Sequence, residues 1–203
     1  MPAAIPTAAS DAGPDAQKRQ RILDGAARVF LNYGYKRVTM DDIAREAEMS
    51  RPALYLLFRN KTEIYRAIAE TYFEAALAGA RAALAGPAPF EARLMALFED
   101  CVLAMLAEFA NSPHGAEILD MKLNLASDLV TRWVATMTGE LEAAVAAEAA
   151  RNGVDLADRG FTARGLAELY WDALEGMKAR VQDTVALREG MRAMGAVLAR
   201  AVG

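Results

Sequence analysis

The chain has 203 residues, 54% of them apolar and 25% charged, with a net charge of −4 and one cysteine. A chain of this length buries a real core, and this composition excludes a disordered polymer. One cysteine excludes an intrachain disulfide and points to a reducing cytoplasm, and no apolar run reaches the ~18 residues of a membrane span.

Residues 1–15, rich in Ala and Pro and without a basic start, read as a disordered tail and not as a signal peptide. The first strong helix is predicted from about Ala16 to Tyr33, where Ile22, Leu23, Ala26, Val29 and Phe30 make one apolar stripe and Gly34 is a natural stop. Thr39 opens a second helix as an N-cap, with Asp42 as a weaker form of the capping-box acid. The second helix is short and gives way at Glu48-Met49-Ser50. Ser50 caps a third, with Pro52 in its first turn, where a missing N–H costs nothing. Thr62 is expected to cap a fourth helix that runs to about Leu84 and ends at Gly86-Pro87. Five further helices are predicted over about Pro89–Ala110, His114–Leu123, Ala126–Arg151, Thr162–Gln182 and Val185–Val202.

Charge is unevenly spread. Lys18 to Arg66 holds 11 Lys plus Arg against 6 Asp plus Glu, a local +5 that leaves −9 for the remainder. A basic module on an acidic body is the footprint of a nucleic-acid contact. Two short capped helices between longer ones describe a helix-turn-helix over about Thr39 to Phe58, the second helix being narrow enough to enter a DNA major groove.

Several features of residues 18–70 join up: an apolar helix ending Phe30-x-x-x-Gly34-Tyr35, Thr39-x-x-x-Ile43-Ala44, a turn ending in Ser50, Leu54-Tyr55 before Phe58, and Lys61 opening the fourth helix. Together they resemble the N-terminal domain of the tetracycline-repressor (TetR) family of bacterial regulators. Beyond that segment, about a quarter of the chain, only the architecture is similar. The resemblance implies an all-α fold of about nine helices. A three-helix helix-turn-helix domain (16–61) is followed by a helical ligand-binding and dimerisation domain (62–203), with helix 62–84 joining the two. It further implies a homodimer on palindromic double-stranded operator DNA, most relatives being repressors, and a small effector that releases it. A largely apolar effector fits a second domain with few obvious buried charges. No cofactor, no metal and no membrane are implied.

Residue roles follow. Arg51, at the start of the recognition helix, suits either guanine O6 and N7 or a phosphate. Pro52 and Ser50 lie at the same end, and Ala53 and Leu56 suit thymine methyls. Tyr55 and Lys61 match family positions that imply phosphate contacts, although Tyr55 also suits a half-buried core. Thr39 reads as a phosphate donor and an N-cap at once, and Lys36 and Arg37 as flanking contacts or solvated surface. The chain departs from the pattern at Glu48, where relatives often have Gly, so a left-handed backbone there is mildly strained. It departs again at Leu56-Leu57, where they often have an aromatic and a His. Asp41 either discriminates among sequences or favours the helix N-terminus electrostatically.

In the second domain, Phe98, Met105, Phe109, His114, Met121, Trp133, Met137, Tyr170 and Trp171 are candidate ligand contacts, each equally readable as core or, for His114, as surface. Cys101, among Phe98, Val102 and Met105, reads as buried filler. Apolar stripes carrying Leu166, Leu169, Ala173, Leu174 and Met177, then Val185, Met191, Met194 and Leu198, are candidates for a four-helix dimer interface. One histidine and no converging nucleophile–base set argue against an enzyme; Glu99 and Asp100 are adjacent and diverge around a helix. A protein-interaction module that kept the fold and lost DNA binding remains a further alternative.

Overall fold

The computed structural model describes residues 13–180 and 183–203; for Met105, Leu106, Glu108, Lys122 and Leu123 it describes the backbone alone. The expected tail therefore lies mostly outside the described residues, and its end, Pro14-Asp15, opens the first helix. Among the described residues there is helix and no strand: α1 (Pro14–Tyr33), α2 (Met40–Glu46), α3 (Arg51–Leu57), α4 (Lys61–Ala85), α5 (Phe90–Ala96), α6 (Ala104–Ala110), α7 (Gly115–Leu125), α8 (Ser127–Arg151), α9 (Ala163–Arg180) and α10 (Thr184–Val202). A π-helical stretch, Leu97–Leu103, lies between α5 and α6 in the chain. No helix among the described residues is long and apolar enough to cross a membrane.

The chain divides into two compact units, Met1–Ala75 with Ala104–Arg132 and Ala76–Leu103 with Trp133–Gly203. The first is built on α1 to α3. Ile22, Ala26 and Phe30 of α1, Ile43 of α2, Leu54 of α3, then Phe58, Ile64 and Ile68 share one core. Each such buried side chain contributes roughly 1.5–3 kcal/mol relative to exposure. Gly25 lets α1 and α2 approach: a Cβ there would lie 3.1 Å from the Ala47 backbone nitrogen. Gly34 stops α1 at φ 82°, outside the ordinary range of L-residues.

In the same unit, α7 is tied to α1 and α4. The His114 N–H donates to the Leu31 carbonyl at 3.1 Å, and the Tyr65 hydroxyl donates to the Ile118 carbonyl at 2.7 Å. Burial pushes the Tyr65 phenol up to about 12. Arg66 grips Asp128 through both guanidinium nitrogens at 2.7 Å.

The second unit packs α10 against α5 and α9. Leu94, Leu141, Val145, Leu174, Met191 and Leu198 are buried there, and the Tyr170 hydroxyl donates to the Leu94 carbonyl at 2.9 Å. Arg93 is buried, donates to the Leu84 carbonyl at 2.7 Å and pairs with Glu148, which also meets Arg151. Cys101 is buried, and burial pushes its thiol up to about 11, so it packs as an apolar group and not as a nucleophile.

Candidate functional site

The ends of α2 and α3 carry the site. Thr39 is the N-cap of α2, and the capping box is complete with Asp42 as its acid. The Asp42 N–H donates to the Thr39 hydroxyl, while the Thr39 hydroxyl and N–H donate to Asp42 at 2.6 and 3.0 Å. The Thr39 hydroxyl beside it holds the Asp42 carboxyl below its usual range. Both Thr39 donors are therefore engaged inside the helix end. The Ser50 hydroxyl accepts the Ala53 N–H at 3.3 Å, which starts α3 with Pro52 in its first turn.

The turn between α2 and α3 runs through Glu48 at φ 53°, the left-handed backbone expected where relatives carry Gly. It is closed by Met49 N–H donating to the Ala44 carbonyl at 3.0 Å. The next cap differs from expectation. Asn60, not Thr62, caps α4, its side-chain oxygen accepting the Glu63 N–H at 2.9 Å. The Thr62 hydroxyl instead shares a hydrogen bond with the buried Tyr35 hydroxyl at 2.8 Å. An Asn two residues earlier competes well for a cap position, and Tyr35 needs a polar partner once buried.

Leu54 faces the core while Arg51, Pro52, Tyr55 and Leu56 are exposed, and Leu56, at 86%, is the most open large apolar side chain described. Ala53 is half-buried. The Arg51 guanidinium lies 5.5 Å from the Tyr55 ring centre and pairs with Asp41, Nε 3.1 Å from Oδ1 and Nη1 donating to Oδ2 at 3.2 Å. Lys36 and Arg37 are exposed and make no ion pair among the described residues. Arg59, not among the residues expected from the sequence, is exposed as well; a basic residue two positions past the recognition helix is the signal for it.

Lys61 is occupied. Its ammonium donates to the carbonyls of Tyr35, Lys36 and Val38 at 2.8, 3.2 and 3.0 Å and sits 4.5 Å from the Tyr35 ring centre. An ammonium has three protons, so all are used, and partial burial lowers its pKa. Lys61 thus ties α4 to the α1–α2 connection.

The candidate ligand residues are distributed over both units. Phe109, His114 and Met121 belong to the first unit, where Phe109 packs on Tyr72 at 5.7 Å and His114 Nδ1 lies 3.2 Å from Glu117. Phe98, Trp133, Met137, Tyr170 and Trp171 belong to the second, and the side chain of Met105 lies outside the described residues. Trp171 meets Tyr170 edge-on at 5.3 Å, and its indole N–H is buried without a hydrogen-bond partner among the described residues. An open surface hollow in the second unit is lined by other residues, among them Glu91, Met95, Glu99 and Arg192. No group of three metal-ligating side chains occurs among the described residues.

The candidate dimer residues differ in exposure. Leu166, Leu174, Met191 and Leu198 are at most 3% exposed and serve the interior of their own chain, and Ala173, Met177 and Met194 are half-buried. An amphipathic stripe marks the face a helix buries within its chain, and that was the stripe the sequence showed. Leu169 and Val185 of the candidate stripes are exposed, as are Phe161 just before α9 and Val197 of α10.

Capped short helices around a left-handed turn, with an open apolar and basic face on the second helix, define a helix-turn-helix protein. Residues 22–68 match the family described as bacterial regulatory proteins, tetR family. The chain is 35% identical over 86 residues to the HTH-type transcriptional activator FasR of Mycolicibacterium smegmatis, a match covering 42% of this chain and 39% of that one. It is 42% identical over 52 residues to the HTH-type transcriptional regulator SrpR of Pseudomonas putida, covering 26% and 24%. The chain thus spans well under half the length of these curated relatives. The fold extends further: the solved fatty acid degradation regulator FadR from Bacillus halodurans aligns with a TM-score of 0.64 at 17% identity, covering 93% of this chain and 96% of that one.

Proposed function

We propose that the chain is a ligand-responsive transcriptional regulator that binds a palindromic operator as a homodimer and acts as a repressor, released by a small, largely apolar effector. The observation that carries this reading is α3: capped at Ser50, anchored by Leu54, and presenting Arg51, Pro52, Tyr55 and Leu56 to solvent. An exposed leucine on a recognition helix has a use against thymine methyls, and Arg51 against guanine. Lys36, Arg37 and Arg59 supply charge for phosphates. Repression asks least of the protein, since an occupied operator blocks a promoter without a further contact. The exposed Leu169, Val185 and Val197 suit a second copy.

Trp171 supports an effector with an apolar body and an acceptor. A buried N–H left unpaired costs about 1–3 kcal/mol, which such an acceptor would recover. FadR, similar in fold, is named for fatty acid degradation, and an acyl chain has this chemistry.

The test is fluorescence anisotropy with DNA flanking the coding region and with duplexes selected from a random pool. Binding to a palindrome, falling steeply with salt and released by acyl compounds, is the expected result. A promoter fusion that loses expression when the gene is deleted would replace repression by activation. Failure on every duplex would leave a protein-interaction module.

A further inference from the structure

We propose that Asp41 sets the base preference of the recognition helix by holding Arg51 off the DNA backbone; the proposal rests on the DNA-binding reading above. Asp41 lies in the first turn of α2 and Arg51 is the first residue of α3. The Asp41 carboxylate is not spent on the helix end, because Asp42 takes both Thr39 donors and pairs with Arg45 at 3.4 Å. It meets Arg51 instead, 3.1 Å from Nε, while the Tyr55 ring lies beside the guanidinium.

The pair is exposed on both sides, 60% at Arg51 and 52% at Asp41, so it adds little to stability. Its consequence is electrostatic. An arginine alone at this position turns to whichever phosphate is nearest, because a phosphate offers full negative charge from many directions. With a carboxylate bound to one edge, the same move brings Asp41 toward the phosphates, where like charges repel. A guanine edge offers two neutral acceptors and imposes no such repulsion. Asp41 thus makes phosphate the poorer partner and guanine the better one. It is a positioning residue acting through Arg51.

The experiment compares wild type, Asp41→Asn, Arg51→Ala and the double variant on a selected operator, on that operator with each base replaced, and on unrelated duplex, over a salt series. Asn keeps the size and removes the charge. The expected result is that Asp41→Asn binds unrelated DNA several-fold tighter, with a log–log salt slope steeper by about one phosphate contact, while discrimination at the Arg51 base falls from roughly tenfold or more toward unity. Arg51→Ala loses the same discrimination, and adding Asp41→Asn to it changes that discrimination no further. Asp41→Asn with wild-type base discrimination and salt slope overturns the proposal, whatever happens to its melting temperature. Wild type that binds no duplex overturns the DNA-binding reading itself, and this proposal with it.

Discussion

The α2–α3 turn and the α9–α10 pair are both adjacent helices that leave apolar side chains in water, yet they announce themselves differently. In the first pair, identity sits at the ends: Thr39, Ser50 and Asn60 stop and start the chain, and little of each short helix is left to bury. In the second pair, identity sits along the sides. Each helix has one face for its own core and another for the outside, and the stronger stripe belongs to the core. Ends are local and can be read from a few residues; faces depend on what packs against them.

The largest expected effects test this division of faces. Leu54→Ala and Leu198→Ala should each cost about 2–5 kcal/mol in urea unfolding, because both are fully buried. Leu56→Ala and Val197→Ala should each stay within about 0.5 kcal/mol. A costly Leu56→Ala would mean that α3 buries its outer face after all. Next, Gly34→Ala should cost about 1–3 kcal/mol, since φ is 82° and the new Cβ would fall 2.8 Å from Glu117 Oε2; thermal melts measure it. Glu48→Gly should do the opposite and gain up to about 1 kcal/mol by relieving the left-handed residue. A loss there would show that the Glu side chain contributes more than its backbone costs.

For the second pair, Leu169→Glu with Val197→Glu should convert dimer to monomer in sedimentation while leaving the melting of the monomer nearly unchanged; an intact dimer would move the interface elsewhere. The smallest effect concerns pH. Arg66 holds the Asp128 carboxyl down to about 2 from an ordinary 3.8. The depressed group stabilises the folded chain above about 3.8 and loses that contribution as pH falls toward about 2. Asp128→Asn should therefore lower stability slightly near neutrality and flatten its fall with pH in that window, which acid titration of unfolding measures.

Among the described residues the sequence carried the α-helices to within a residue or two, because caps, Gly34 and the Pro-containing breaks are local signals; it missed the 3-10 helix Ala157–Arg159, and the expected end at Gln182 lies outside the described residues. It carried the left-handed turn at Glu48 through the family pattern. It missed the Asn60 cap, which lay two residues from an equally good candidate. It showed the Thr39–Asp42 capping box, but it could not show that Lys61 spends its donors inside the chain, since that lysine looks free until the carbonyls of Tyr35, Lys36 and Val38 are in place. Nor could it assign the outward face of α9 and α10, or separate Phe109 from Phe98, since long-range packing decides which unit an apolar residue joins. Asp41 and Arg51 stand ten residues apart and only the folded turn makes them a pair.

The three carbonyls around Lys61 Nζ amount to a monovalent-cation site whose ion arrives on a tether. The shape of the α1–α2 connection is thus conditional on a residue that follows the recognition helix. A fragment cut after Phe58 would keep α1, α2 and α3 and lose the ion that their first connection folds around. The smallest excisable reader of DNA therefore runs past Lys61 and far enough into α4 to hold that lysine in a helix. A fusion or truncation designed at the apparent end of the helix-turn-helix would remove the clasp along with the linker.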